Sequence, residues 1–391
     1  MKYIEEFRDQ KLAKHIAERI RHSVDPAREY HFMEFCGGHT HAIFRYGVQD
    51  LMPGNVHYVH GPGCPVCVLP TSRIDLMIRL LREENVILCT YADLLRVPAS
   101  ERESLMKVKA EGADVRMVYS TQDALKIARD NPESEVVFFA IGFETTTPPT
   151  AVAILQAQSE QLSNFTVFCN HVLTPAAMSG LLDAPAVDGE VLNLDGFLGP
   201  SHVSSIIGSQ PYEFVPQKYG KPVVIAGFEP LDVMQSTLMM IQQINDGRCE
   251  VENEYARVVS REGNRKAQAL VAEVLELRDR FEWRGLGWIP DSALKIQPRF
   301  SAFDAEQRFD CLKNTGDLIA KDHKACECPS ILRGTKKPVD CKLFGTVCTP
   351  ENPMGSCMGS SEGACAAHWS YGRFRGQPVT SSPQSQKAAS A

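Results

Sequence analysis

The chain has 391 residues, a net charge of −7 at pH 7 and a 23% charged fraction. That length allows two to four domains and a sizeable core, and the charge is ordinary for a soluble protein. With no dense Lys/Arg block to track phosphates, nucleic acid is not an expected partner. The start of the chain lacks the apolar core of a signal peptide, and no later segment is apolar for long enough to span a bilayer. A cytoplasmic protein is therefore expected, without a membrane partner. In a reducing compartment thirteen cysteines point away from a disulfide framework and towards metal ligation or thiol chemistry.

In chain order, Ile4, Phe7, Leu12, Ile16 and Ile20 form an apolar stripe on a charged helical arm, residues 1–29, expected to pack on the C-terminal unit. Strand-length apolar runs then alternate with helical ones. They fall at Tyr30 to Phe35, Val56 to His60, Val86 to Thr90 and Val115 to Tyr119, then at Val136 to Ile141, Phe165 to Asn170, Gly196 to Leu198 and Pro222 to Ala226. The alternation predicts an α/β fold with two Rossmann-like parallel-sheet domains, residues 30–130 and 131–250. A long charged helix is expected from Asn264 to Arg280. It opens a smaller, irregular C-terminal domain, residues 251–372, with six cysteines between Cys326 and Cys365 and too little core to hold itself together without a metal staple. Residues 373–391 read as a disordered tail.

The loops after the strands are where an open α/β sheet gathers ligands, and here they are chemically rich. Cys36-Gly37-Gly38-His39-Thr40-His41 sits where a strand hands over to a helix, so the glycines permit a tight turn and the helix N-terminus should help the thiol to ionise. Such a loop suits a soft metal or a nucleophile; equally, Cys36 is a small buried residue and both histidines are satisfied by backbone carbonyls. Cys64-Pro65-Val66-Cys67 just before a helix resembles a redox dithiol, the alternative being half of a zinc site completed by Cys36, His39 and His60. Glu144 followed by three threonines either caps a helix or cradles an anion, and His171 and His202 each follow a strand. The spacing of Cys328, Cys341, Cys348 and Cys365 fits neither a zinc ribbon nor a bacterial ferredoxin, yet thiolates that meet in space can hold a [4Fe-4S] cluster, with zinc the competitor. Cys326 and Cys357 read as surface thiols.

Taken together, CGGHTHAIF from Cys36, HGPGCPVCVLP from His60, GFETT from Gly142, AGFEPLD from Ala226, EWRGLG from Glu282, LFG followed by Cys348, and SSEGAC ending at Cys365 resemble the HypD family of [NiFe]-hydrogenase maturation proteins. The likeness runs from Phe32 to Trp369. It implies a scaffold on which, with a HypC-like chaperone, the Fe(CN)2CO group is assembled for a hydrogenase large subunit, cyanide arriving from a HypE-like donor. By the same resemblance Cys36 ligates the iron with His39 nearby, Cys64 and Cys67 are a redox-active dithiol, Glu362 is the motif glutamate, and Cys328, Cys341, Cys348 and Cys365 hold the [4Fe-4S] cluster. Cys328 is preferred over Cys326 because it stands directly before Ile331-Leu332-Arg333-Gly334. Thiolates complete the coordination of low-spin iron(II) well, and a cluster beside a dithiol resembles the electron relay of ferredoxin:thioredoxin reductase. The competing readings are a stand-alone thiol:disulfide oxidoreductase, a weak ATPase using the Glu144 loop, and a zinc-stapled structural protein.

Overall fold

The computed structural model describes residues 5–184, 192–313, 320 and 322–372, so the expected tail lies outside the described residues. Among the described residues nine strands build two parallel sheets: β1 (Tyr30–Glu34), β2 (Val56–His60), β3 (Val86–Thr90), β4 (Val115–Met117), β5 (Glu135–Gly142), β6 (Phe165–His171), β7 (Gly196–Gly199), β8 (Val223–Ile225) and β9 (Val251–Asn253). One sheet has the order β4-β3-β5-β6, the other β2-β1-β7-β8-β9, and every pairing in them is parallel. β3, with all five residues buried, and β5, buried from Val136 onward, are near-continuous apolar runs, as expected for strands covered on both faces. The α/β class and the parallel sheets are as the sequence predicts.

The division at residue 130 does not follow the sheets. β1 and β2 pair not with β3 but with β7, Phe32 standing opposite Gly196 and Glu34 opposite Leu198. The chain leaves the first sheet after β2, builds the whole second sheet from β3 to β6, and returns at β7 to complete the first. Parallel strands need crossover connections in any case, so the chain can place another layer between two neighbours.

The N-terminal arm also sits elsewhere than expected. Its helix, Gln10–Ser23, is capped by the Asp9 carboxylate and buries Ala17 and Ile20 among Met234, Leu238 and Ile241 of the helix Pro230–Asn245. The helix is thus fixed to the five-stranded sheet's helical layer, while Phe7 of the arm meets Arg257 of the expected C-terminal unit, and Leu12 of the predicted stripe is 50% exposed. The predicted helix from Asn264 to Arg280 stops at Val274, because Leu275–Leu277 pair antiparallel with Leu294–Ile296, and Arg280–Trp283 form a hairpin with Gly287–Pro290. The region after Cys326 is irregular, with short helical turns at Cys328–Leu332, Ser356–Gly359 and Ala364–Ala367. No helix among the described residues is long and apolar enough to cross a membrane.

Candidate functional site

Cys36 leaves β1 in an extended conformation and is the first, capping residue of the helix Gly37–Tyr46. Its carbonyl accepts the His39 N–H at 2.9 Å, and its own N–H donates to the Glu34 carboxylate at 3.1 Å. The helix start does not acidify the thiol as expected. Burial pushes Cys36 up to about 12, the amides of Gly38 and His39 pull weakly the other way, and the Glu362 and Glu34 carboxylates add to the rise. Desolvation outweighs the helix because the thiol is sealed from water on most sides.

Glu34 was hidden in the sequence by its apolar neighbours, yet it organises this turn. It is 1% exposed and accepts from the Cys36 N–H, the Thr40 hydroxyl and the His60 ring, the last at 2.8 Å. A charge inside an apolar strand is itself a signal, since an acid is seldom fully buried unless it is paired.

His39 lies behind the turn rather than in front of it. Its Nε2 is 3.0 Å from the Ala226 carbonyl and 3.3 Å from the Ser201 hydroxyl, and burial keeps the ring below its ordinary pKa and neutral. His41 Nε2 meets the Ser361 carbonyl at 2.8 Å. Both histidines therefore contact backbone carbonyls, as the plainer reading expects, and each ties the Cys36 turn to a distant segment.

The CxxC loop packs directly on this turn. Gly37 N–H donates to the Gly63 carbonyl at 3.2 Å, and a Cβ on Gly63 would lie 2.5 Å from the Phe35 carbonyl carbon and 2.8 Å from the Cys36 Cα, so only glycine allows the approach. Cys64 and Cys67 are joined as a disulfide, both buried. On its far side the loop leans on the C-terminal region: the Cys64 sulfur is 3.5 Å from the Ser360 hydroxyl, and the Cys67 carbonyl accepts the Ser356 hydroxyl at 2.7 Å.

These loops enclose a cavity of about 210 Å³. Cys36 and the two glycines after it form one wall, Gly63, Pro65 and Val66 a second, Gly142 to Thr146 (Glu144 excepted) a third, and Pro200, His202 and Val203 a fourth, with Asp93 and Glu362 alongside. Burial and the neighbouring Asp93 carboxylate raise the Glu362 carboxyl above its ordinary pKa, against the pull of His41. Not every candidate is here. Glu144 turns away and accepts the Thr174 N–H at 2.8 Å and the Thr174 hydroxyl at 3.0 Å, which leaves it as an internal cap, not an anion cradle. Buried His171 is held near 4 by desolvation and hydrogen-bonds Thr150 at 2.9 Å, a structural role.

The C-terminal cysteines gather next to the CxxC loop. A Cβ on Gly355, beside Ser356, would lie 2.6 Å from the Cys328 sulfur and would also strike that of Cys326. Cys326, Cys328, Cys357 and Cys365 lie close enough to shift one another's titration, and Cys348 feels Cys326, Cys328 and Cys341 electrostatically. Cys357 is thus no surface thiol: it is fully buried at the centre of the group, and Cys326 lies at its edge. The run of six cysteines in forty residues was the available signal. Among the described residues no three or more His, Cys, Asp or Glu side chains are arranged as a ready metal site. What is present is a donor set of thiols alone, the set an iron–sulfur cluster takes.

A profile of the HypD family, described as hydrogenase formation hypA family, matches residues 11–372. The chain is 63% identical to hydrogenase maturation factor HypD2 of Bradyrhizobium diazoefficiens over 96% of this chain and 98% of that one. It is 62% identical to hydrogenase maturation factor HypD of Cupriavidus necator, over 97% and 99% of the two chains. With the factor of the same name from Escherichia coli K12 it shares 44% over 95% and 98%. With a match over nearly its whole length and the motif loops meeting in one cavity, the chain belongs to the HypD family of hydrogenase maturation factors.

Proposed function

We propose that this protein is the cytoplasmic scaffold on which, together with a HypC-like chaperone, the Fe(CN)2CO group is assembled for a hydrogenase large subunit, with cyanide received from a HypE-like donor. The observation that carries this reading is the single cavity shared by Cys36, the CxxC loop and Glu362. Iron is the cargo, and Cys36 is the residue that holds it. A thiolate suits low-spin iron(II), and the high pKa of Cys36 means that iron must displace a proton as it binds. Glu362 lines the same cavity with a carboxyl that burial and Asp93 raise above its ordinary pKa, which suits it to carry that proton. His39 braces the turn through Ala226 and Ser201.

Cys64 and Cys67 are the redox pair, supported by their pairing as a disulfide in the loop that touches the Cys36 backbone. Cys328, Cys341, Cys348 and Cys365 would hold a [4Fe-4S] cluster, with Cys357 packed between Cys328 and Cys365. When bound, such a cluster supplies single electrons beside the dithiol.

The test is anaerobic purification with the chaperone partner, followed by visible and infrared spectra and by iron and acid-labile sulfide analysis. We expect about five irons to four sulfides, four irons for the cluster and one for the cargo, and cyanide and carbonyl stretches that vanish in Cys36→Ala. A colourless protein containing only zinc, or stretches unchanged in Cys36→Ala, overturns the reading.

A further inference from the structure

Part of the polar lining of the Cys36 cavity is committed within the chain. The Thr146 hydroxyl donates to the Phe143 carbonyl at 2.9 Å, and Asp93 accepts the Ser361 hydroxyl at 3.1 and 3.2 Å. Three residues differ. Thr145, His202 and Glu362 line the cavity, and their side chains hydrogen-bond to no described residue; Glu362 is the acid already assigned to the proton of Cys36. His202 is nevertheless held in place: its ring lies 3.9 Å, centroid to centroid, from that of Phe228. Phe228 in turn fills the notch at Gly38, where a Cβ would come within 2.5 Å of its ring. The brace therefore runs from the Cys36 helix through Phe228 to His202. The rest of the lining is apolar, from Val66, Ile141, Phe143 and Val203.

A fixed imidazole and a hydroxyl with no partner inside the chain suit a ligand with hydrogen-bond-accepting ends. Iron-bound cyanide carries negative charge on its outer nitrogen and accepts such bonds well, whereas iron-bound carbon monoxide accepts them poorly. Thr145 is half-buried and His202 exposed, and donors that only one of the two diatomics can satisfy discriminate between them by more than shape.

We propose that Thr145 and His202 each donate a hydrogen bond to the nitrogen of one iron-bound cyanide, and that the carbonyl ligand is left to the apolar wall of Val66, Ile141 and Phe143. The two residues thus set the orientation of the cargo on Cys36. This inference rests on the cargo assigned above, and its test separates the two.

The experiment uses the complex of the full chain with its chaperone partner, isolated anaerobically, with infrared spectra recorded before and during challenge by an iron chelator. Thr145→Val and His202→Leu are compared with the parent, with Thr145→Ser as the conservative control and Cys36→Ala as the empty site. In each of the first two variants the cyanide stretches should move more than the carbonyl stretch, and the cargo should be lost about tenfold faster, as for one charge-assisted hydrogen bond. Thr145→Ser should restore the parent spectrum, which rules out simple misfolding. Cyanide stretches unmoved in both variants, while Cys36→Ala still empties the site, overturn this assignment and leave the cargo reading intact. Absence of all diatomic stretches from the parent complex removes both.

Discussion

Ser356 and Cys67 are paired face to face: the Ser356 hydroxyl donates to the Cys67 carbonyl at 2.7 Å, and the Cys67 sulfur lies 3.9 Å from the Ser356 carbonyl oxygen. This is the contact that sets the dithiol loop against the thiol-rich C-terminal region. Ser356→Ala leaves a buried carbonyl without its donor and should cost about 1 to 2 kcal/mol in chemical denaturation. It should also reduce hydrogenase maturation in cells, whereas Ser356→Thr, which keeps the hydroxyl, should restore at least part of both. Equal stability of the parent and Ser356→Ala would remove the pair's structural role.

Gly63 is where the two functional loops touch. A methyl group there meets main-chain atoms of Phe35 and Cys36, which cannot swing aside as a flexible side chain would. Gly63→Ala should therefore destabilise the fold by about 1 to 3 kcal/mol and abolish maturation even if the protein remains soluble. Gly54, around which nothing lies within 4 Å, is the matched control, and its alanine variant should mature hydrogenase normally.

Glu144 predicts an unusual pH dependence. Burial lifts its carboxyl from 4.5 to about 7, so the folded chain keeps a proton that the unfolded chain has already released. Its stabilising contribution is complete below the unfolded pKa and is lost as pH rises through 7. Between about pH 5 and 7.5 the parent should lose stability relative to Glu144→Gln, which still accepts from Thr174 but does not titrate. Parallel stability profiles for the two proteins would show that the carboxyl is not perturbed.

The N-terminal arm separates two kinds of contact. Ile20 is fully buried against the helix Pro230–Asn245, and Ile20→Ala should cost about 2 to 4 kcal/mol through the cavity it leaves. Arg8 forms a two-pronged ion pair with Glu229, at 2.5 and 2.8 Å, but is partly open to solvent, and Arg8→Ala should cost less than about 1 kcal/mol. Urea titrations of the two variants settle the comparison.

The strands were legible because each is short, apolar and bounded by a turn: Val56 to His60 and Val86 to Thr90 are read to the residue. Their partners were not, because a run such as Tyr30 to Glu34 carries no mark of the glycine strand it will meet from the far side of the chain. The helix expected through Arg280 failed for a related reason. Leu275 and Leu277 are good helix formers locally, but pairing with Leu294 and Ile296 wins once the tertiary structure exists. At the site, the cysteine motifs announced themselves by spacing and by family likeness. The burial that pushes Cys36 up to about 12 did not, since desolvation belongs to everything packed around the thiol and not to the turn that carries it. Cys357 was passed over because its part is visible only when Cys328 and Cys365 arrive on either side.

The return of the chain from β6 to β7 has a consequence in time. His31 finds its hydrogen-bond partner Asp195 a full 164 residues later, and β8 follows later still. During synthesis the Cys36 loop emerges early, yet the wall formed by Pro200 to Val203 does not exist until about half the chain has left the ribosome, and Glu362 arrives almost last. A growing or truncated polypeptide therefore presents a thiol without a pocket around it, open to whatever metal or oxidant it meets. Cys36 is enclosed only once synthesis has passed Glu362, so the pocket is among the last features the growing chain completes.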